Sequence, residues 1–214
     1  RRQRQMCIRD RPNAKPGDFK FAKLSGEGEL NDDDDRTFIG DPNPDLIYGF
    51  NLGFNYKNFD VSMAFQGTIG NDIWNTSKGT LATAGNQNAL AEAYTDAWRK
   101  EGDVDAKYPR ITNSDSNNNY RASSFYVEDG SYFRIQNVQV AYTFPKKDFG
   151  KFKMPSIRLS LTADRPLTVF KANSFSPELG SKNEKGEIAS SSYGFDERVY
   201  PLASSYTLGL RIIY

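Results

Sequence analysis

Tyr206-Thr207-Leu208-Gly209-Leu210-Arg211-Ile212-Ile213-Tyr214 closes the chain, and every second side chain in it, from Tyr206 through Leu208, Leu210 and Ile212 to Tyr214, is large and apolar. Side chains on one face of a β-strand recur at every second position, so these residues share a face, and Thr207, Gly209, Arg211 and Ile213 share the other. A tyrosine at each end of an aliphatic band suits a strand that crosses a bilayer: the rings sit at headgroup level while Leu and Ile meet acyl chains. The length fits the roughly 9–11 residues that a tilted strand needs to cross the hydrocarbon layer. A strand of a soluble sheet accounts for the alternation as well, but gives no reason for the paired terminal tyrosines.

The same pattern recurs upstream. Leu46, Tyr48, Phe50, Leu52, Phe54 and Tyr56 alternate with small or amide residues, among them Asn51 and Asn55. Past a tight turn at Lys57-Asn58, Phe59, Val61, Met63 and Phe65 oppose Asp60, Ser62 and Gln66, which completes a hairpin. Between Tyr132 and Phe144 the parity slips. Phe133 and Ile135 share one phase and Val138, Val140, Tyr142 and Phe144 the other, so a β-bulge is expected at Gln136-Asn137, and Pro145 ends the strand. From Ile157 to Asp164, Leu159 and Leu161 alternate with Arg158, Ser160, Thr162 and Asp164. The expected strands are therefore about 46–56, 59–66, 132–144, 157–164 and 203–214. Their connections alternate in length: Lys57-Asn58 and Lys146–Pro155 are short, Gly67–Ser124 and Pro166–Leu202 long. Short turns on one side and long loops on the other is the asymmetry of outer-membrane barrels.

On that reading Tyr48, Phe50, Leu52, Phe54, Phe65, Val140, Tyr142, Leu159, Leu161, Leu208, Leu210, Ile212 and Tyr214 face lipid. Asn51, Asn55, Asp60, Ser62, Gln66, Arg134, Gln139, Arg158, Ser160, Thr162 and Arg211 face the lumen. Each of the three strand arginines, Arg134, Arg158 and Arg211, falls in the polar phase, as it must if an arginine on the lipid face costs about 2–4 kcal/mol near the midplane. A soluble barrel with a wet interior satisfies the same condition. A mixed lining of this kind suits a folded plug or hydrated solutes better than ion selectivity.

Composition removes several alternatives. The 214 residues carry 28 Lys+Arg against 27 Asp+Glu, without the basic surplus that nucleic acid calls for. Histidine is absent and Cys7 is the single cysteine, which removes His- and Cys-based catalysis and zinc chemistry. No catalytic residue and no cofactor is expected. Mean hydropathy is -0.69 and no apolar run approaches a transmembrane helix, but a barrel whose strands are apolar on one face only escapes both tests.

The remaining segments read as follows. Residues 1–11, RRQRQMCIRDR, have neither strand nor helix period and form a non-native or disordered tail, similar to a translated sequencing-adapter scar. Residues 12–45 read as an extracellular loop segment, and 46–214 as the sheet with its loops. Within the loop segment Ser25, Glu27, Asn31 and Asp34 have the spacing of a calcium loop, but Lys23 occupies the first ligand position, and a metal-free acidic turn is expected. In the long Gly67–Ser124 connection, Leu90, Tyr94, Ala97 and Trp98 follow helical spacing within 88–100 behind Asn88. Trp74, Trp98 and Arg110 in that connection could contact a ligand or a lid; the alternative is that the two indoles pin the loop onto itself.

An ordered series of motifs resembles the C-terminal part of SusC/RagA-type TonB-dependent transporters of Bacteroidetes. It comprises Gly17-Asp18-Phe19-Lys20, Gly26-Glu27-Gly28, Asp35–Asp45 running into Tyr48-Gly49-Phe50, Phe65-Gln66-Gly67, Gly70-Asn71-Asp72-Ile73, Trp98, Pro109-Arg110, Glu128–Asn137 and the final Tyr214. Where that family has Asp-x-Asn-Gly-Asp-Gly, this chain has Lys23–Gly28. The resemblance implies an all-β fold, the C-terminal antiparallel strands of a transmembrane barrel with long extracellular loops, in the outer membrane. It further implies a plug and TonB-contacting region upstream, a SusD-like lipoprotein as lid, and oligosaccharides or peptides as cargo. The chain is then expected to be a fragment, because about five strands cannot close a barrel and leave edges that lipid cannot hydrogen-bond. The rival is a soluble or surface-attached β-rich carbohydrate-binding module with Trp74 and Trp98 as sugar platforms.

Overall fold

The structure is a computed structural model and describes residues 13–26, 30, 34–76, 78, 91–112, 116–149, 152–174, 176–177, 193–196 and 200–213. The tail 1–11 and Tyr214 lie outside these residues, as do Glu27 and Asn31. Two compact units share the chain. One takes in described residues of Pro42–Ile73, Asp129–Leu179 and Val199–Tyr214; the other takes in those of Arg1–Asp41, Trp74–Glu128 and Gly180–Arg198.

The first unit is a five-stranded antiparallel sheet in the order β1 (Leu46–Tyr56), β2 (Phe59–Ile69), β5 (Tyr132–Phe144), β8 (Ser156–Phe170) and β10 (Ser205–Ile213). The hairpin β6 (Lys147–Phe149) and β7 (Phe152–Met154) occupies the short connection between β5 and β8. Two of the strands run further than their sequence pattern suggests. β2 continues past Gln66 to Ile69, and β8 passes Asp164 and continues to Phe170. Arg165-Pro166 reads as a break in sequence, yet Leu167 and Val169 resume the apolar phase beyond it and pair with Ile135 and Phe133.

The reason lies in the bulges. Ala64 pairs with Asn137 and Phe65 with Ile135, so Gln136 faces no residue of β2. On the other side Asn137 pairs with Asp164 and Ile135 with Leu167, so Gln136 faces both Arg165 and Pro166. One extra residue on β5 is thus followed by a further one on β8 at the same level. Bulged strands bend and gain local twist, and a bulge tolerates proline because its N–H is not needed in the ladder. Arg165 adopts a left-handed backbone (φ 50) and its guanidinium donates twice to the Ala203 carbonyl, at 3.2 and 3.2 Å, while Ser204 Oγ donates to Arg165 O at 2.7 Å. The start of β10 is thereby tied to the bulge.

Aromatic contacts stitch the apolar face at two levels. Phe50, Phe65 and Phe133 stack across three strands, with centroids 4.5 and 5.9 Å apart. Nearer the short turns, Phe59 meets Tyr142 at 4.6 Å and Tyr142 meets Phe144 at 4.7 Å. Phe59 and Phe65 are six residues apart, about 20 Å along a strand, and Val61, Met63, Val138, Val140, Leu159 and Leu161 fill the interval. Gly67 is required beside this ladder. A Cβ there would lie 2.3 Å from Tyr48 Oη and 2.4 Å from the Tyr132 carbonyl oxygen.

A further three-stranded sheet runs in the order β4 (Val127–Asp129), β3 (Asp72–Asn75) and β9 (Phe195–Asp196), and among its described residues the second unit has a helical turn, α1 (Ala91–Thr95). The helical pattern of 88–100 therefore ends early, at Thr95; Asn88 and Leu90 lie outside the described residues. Lys107 N and Tyr108 N both donate to Asp96 O, at 3.0 and 3.1 Å, and the chain leaves the helix there to let Ala97 bridge to Tyr108. Ala93, Ala97 and Tyr108 form its buried cluster, and Tyr94 is 61% exposed.

Gly67→Ala is expected to lower the stability of the sheet by about 1–3 kcal/mol, since a backbone oxygen cannot move aside for the new methyl as a side chain can. Urea titration of the folded protein, followed by circular dichroism, checks this against Gly53→Ala, where a Cβ meets nothing within 4 Å.

Candidate functional site

The two faces of the five-stranded sheet differ in chemistry and in exposure. The register places Tyr48, Phe50, Leu52, Phe54, Phe65, Val140, Tyr142, Leu159, Leu161, Leu208, Leu210 and Ile212 on one face. That face is open: Phe54 is 62% exposed and Leu208 72%. Contiguous apolar area of this extent marks a membrane or partner surface.

Asn51, Asn55, Asp60, Ser62, Gln66, Arg134, Gln139, Arg158, Ser160, Thr162 and Arg211 share the opposite face. Here polar side chains are cross-linked from strand to strand. The Arg158 guanidinium donates to the Asp60 carboxylate across β5, whose small Ala141 pairs with both Asp60 and Ser160, and it donates to Thr143 Oγ1 at 3.3 Å. Ala141 is buried, and its size leaves room for the ion pair above it. Gln139 Nε2 donates to Thr162 Oγ1 at 3.1 Å, Asn137 Nδ2 to Asp164 Oδ1 at 2.6 Å, and Ser205 Oγ to Asp164 Oδ2 at 3.1 Å. Arg134 is only 2% exposed, donates from Nε to Thr168 Oγ1 at 3.1 Å and lies 5.3 Å from the centre of the Tyr132 ring. Sequence periodicity finds most members of this network but misses Asn137, Thr143, Thr168 and Ser205. Their role depends on a partner on another strand, and only the register supplies it.

In the second unit the ligand candidates are engaged with their own chain. Trp98 packs on Gly17, where a Cβ would lie 2.2 Å from Cε3 and φ is +88. Trp74 meets Tyr126 and Phe195, with centroids 5.2 and 6.2 Å apart. Neither indole is laid out as an open platform. Arg110 Nε donates to Asp18 Oδ1 at 2.7 Å, and the Asp18 side chain is 1% exposed. Asn119 Nδ2 donates to the same oxygen at 3.0 Å, Lys15 N to Asp18 Oδ2 at 2.8 Å, and Asn117 Nδ2 to Asn119 Oδ1 at 2.8 Å. The motifs Gly17-Asp18 and Pro109-Arg110, far apart in sequence, are thus two halves of one buried ion pair.

The calcium-like stretch closes differently from a calcium loop. Asp35 Oδ1 accepts from Leu24 N and Ser25 N at 2.8 Å each, and Lys23 Nζ lies 3.5 Å from Asp35 Oδ2 and 3.1 Å from Ser25 Oγ. An ammonium thus faces the Ser25 oxygen, and the carboxylate that closes the turn is Asp35 rather than the anticipated Asp34. Glu27 and Asn31 lie outside the described residues.

An antiparallel sheet that exposes its apolar face and cross-links its polar one has the build of a transmembrane β-barrel wall. Comparison with known proteins agrees. The chain is 33% identical over 198 residues to TonB-dependent receptor P3 of Formosa agariphila, a match that covers 92% of this chain and 19% of the relative. It is 23% identical over 210 residues to TonB-dependent receptor SusC of Bacteroides thetaiotaomicron, covering 94% of this chain and 18% of SusC. A structure of the RagAB peptide importer in the closed-closed state superposes with a TM-score of 0.65 at 18% identity, over 88% of this chain and 19% of that one. No family model matches. Over 92% of its length or more the chain is thus similar to TonB-dependent receptors, SusC among them, and it spans about a fifth of the length of the curated relatives it matches.

Two predictions concern the second unit. Asp18→Asn, which leaves the mostly buried Arg110 against a neutral amide, should cost about 3–5 kcal/mol and speed limited proteolysis of the folded protein, with Asp105→Asn as the exposed control. The second concerns pH. The side-chain bond from Lys107 holds the Asp96 carboxyl below its usual value of 3.8, and the backbone bond from Arg99 does the same for Asp103. A depressed folded value means that these bonds are fully present above 3.8 and are lost as pH falls below it through the lowered value. Hydrogen exchange at the Arg99 and Lys100 amides, both donors to Asp103 Oδ2, should therefore show constant protection above that value and lose it only below.

Proposed function

We propose that this chain forms part of the wall, with extracellular loops, of an outer-membrane transporter that imports glycans or peptides with energy delivered through TonB. The observation that carries the reading is the inversion of the sheet, with apolar side chains exposed on the outside and cross-linked polar side chains on the inside. Lipid would meet the face of Phe54, Leu161 and Leu210, and the lumen would be lined by the face of Asp60, Gln139 and Arg158. The aromatic contacts at two levels, with aliphatic side chains between them, match the girdles and apolar band of such barrels.

The chain's part in transport is mechanical. The strands hold a polar lining rigid, and the long loops approach cargo or a lid. The lid would be a SusD-like lipoprotein, and TonB would act through a region outside this chain; the names of the relatives, SusC and RagAB, support both. No residue here is assigned a catalytic role. The sugar-binding-module reading rested on Trp74 and Trp98, and their packing against Tyr126, Phe195 and Gly17 takes that support away.

The facing is tested by arginine substitution in the full-length protein. Leu210→Arg is expected to abolish the heat-modifiable folded form, at about 2–4 kcal/mol for a cation near the bilayer midplane. The control on the polar face is Thr207→Arg, because a side chain at Gly209 would begin 2.5 Å from Ser160 Oγ. Thr207→Arg should assemble at near-normal yield, and equal loss from both would count against the assignment. Growth of a deletion strain on defined glycans and on peptides as sole carbon source then separates the two cargo classes.

A further inference from the structure

The geometry points to an aspartate or glutamate beside Arg211, supplied by the strand that pairs with the free edge of β10. Arg211 stands directly opposite Arg158 on the same face of the sheet. Like charges in directly opposed positions destabilise an antiparallel pair. Arg158 is compensated from its other side, where the Asp60 carboxylate reaches it over β5. Arg211 is exposed and has no carboxylate partner among the described residues.

Among the described residues, its neighbours on β8 and β10 supply none. The polar-face residues of β10 are Ser205, Thr207, Gly209, Arg211 and Ile213, with no acid among them. On β8 the acid of that face is Asp164, which already accepts from Asn137 and Ser205 at the far end of the strand pair. The sheet order ends at β10, so the remaining approach to Arg211 is across its outer edge, whose backbone groups await a partner. A carboxylate on the next strand would serve Arg211 as Asp60 serves Arg158, and the two arginines would then be held apart by ion pairs on opposite sides.

The inference rests on the barrel-wall reading above. The strand it requires is a segment of the same full-length protein, of which this chain spans about a fifth as judged by its relatives. Acidic groups of a plug or of a separate protein are the competing sources.

The test uses the full-length protein from its genomic locus. A photo-crosslinking amino acid is placed at Thr207 and, separately, at Ile213, and the captured peptides are identified by mass spectrometry. Both are expected on one alternating segment outside residues 1–214, with Asp or Glu in register with Arg211. Replacing that acid by its amide should then lower the ratio of folded to unfolded protein at a fixed urea concentration about five-fold or more. Arg211→Gln in the same molecule should recover most of the loss, because the two substitutions remove one interaction. A strand that carries no acid at that register, or losses that simply add, overturns the inference and leaves the barrel wall standing. Capture of a plug segment in place of a strand overturns the inference and leaves the barrel wall standing, whereas capture of another protein at both positions overturns both.

Discussion

A strand that borders lipid on one side must keep every charged side chain in one phase, and β5 satisfies that constraint only because Gln136 is inserted. Arg134 and Gln139 differ by an odd number of positions, so an uninterrupted strand would put one of them among the apolar side chains. The bulge restores the phase, and the ladders on both sides adjust to it, β2 by leaving Gln136 unopposed and β8 by setting Arg165 and Pro166 against it. Everything else in the sheet follows from the parity so preserved. The Phe50, Phe65 and Phe133 stack forms on one face, and the Asp60 to Arg158 ion pair forms on the other.

The polar face is also what holds the strands together sideways. Backbone bonds fix neighbours in pairs, but the Asp60 to Arg158 link passes over β5 and joins strands that do not touch through their backbones. Hydrogen bonds among Asn137, Asp164 and Ser205 continue across β5, β8 and β10. In a partly desolvated setting such networks are stable only when their members are mutually satisfied. The loop unit uses the same device at smaller scale, with Asp18 surrounded by donors from Lys15, Arg110 and Asn119.

Much of this was legible in the sequence, for a physical reason. Strand parity is a local property, so the two faces and the slip at Gln136-Asn137 could be read from Leu46–Tyr56, Phe59–Gln66 and Tyr132–Phe144 without knowing which strand lies beside which. What could not be read was anything that depends on distant partners. Arg110 looked available because Asp18 lies 92 positions away. Trp98 looked like a platform because nothing local shows that Gly17 lies beneath it. Spacing points to Asp34 as the acid of the turn, whereas Asp35 accepts its amides. The pattern of β8 stops at Asp164 because proline is normally a terminator, and only the matching insertion on β5 makes a bulge of it.

The paired insertions have a geometric consequence for the wall as a surface. Below them, β2, β5 and β8 advance in step; above them, each strand has used one more residue than the strand before it. The two parts of the sheet are therefore offset like the treads of a spiral stair. The offset concentrates bend and right-handed twist at one level of the sheet, and Arg165, fixed to Ala203, pins the place where the change occurs.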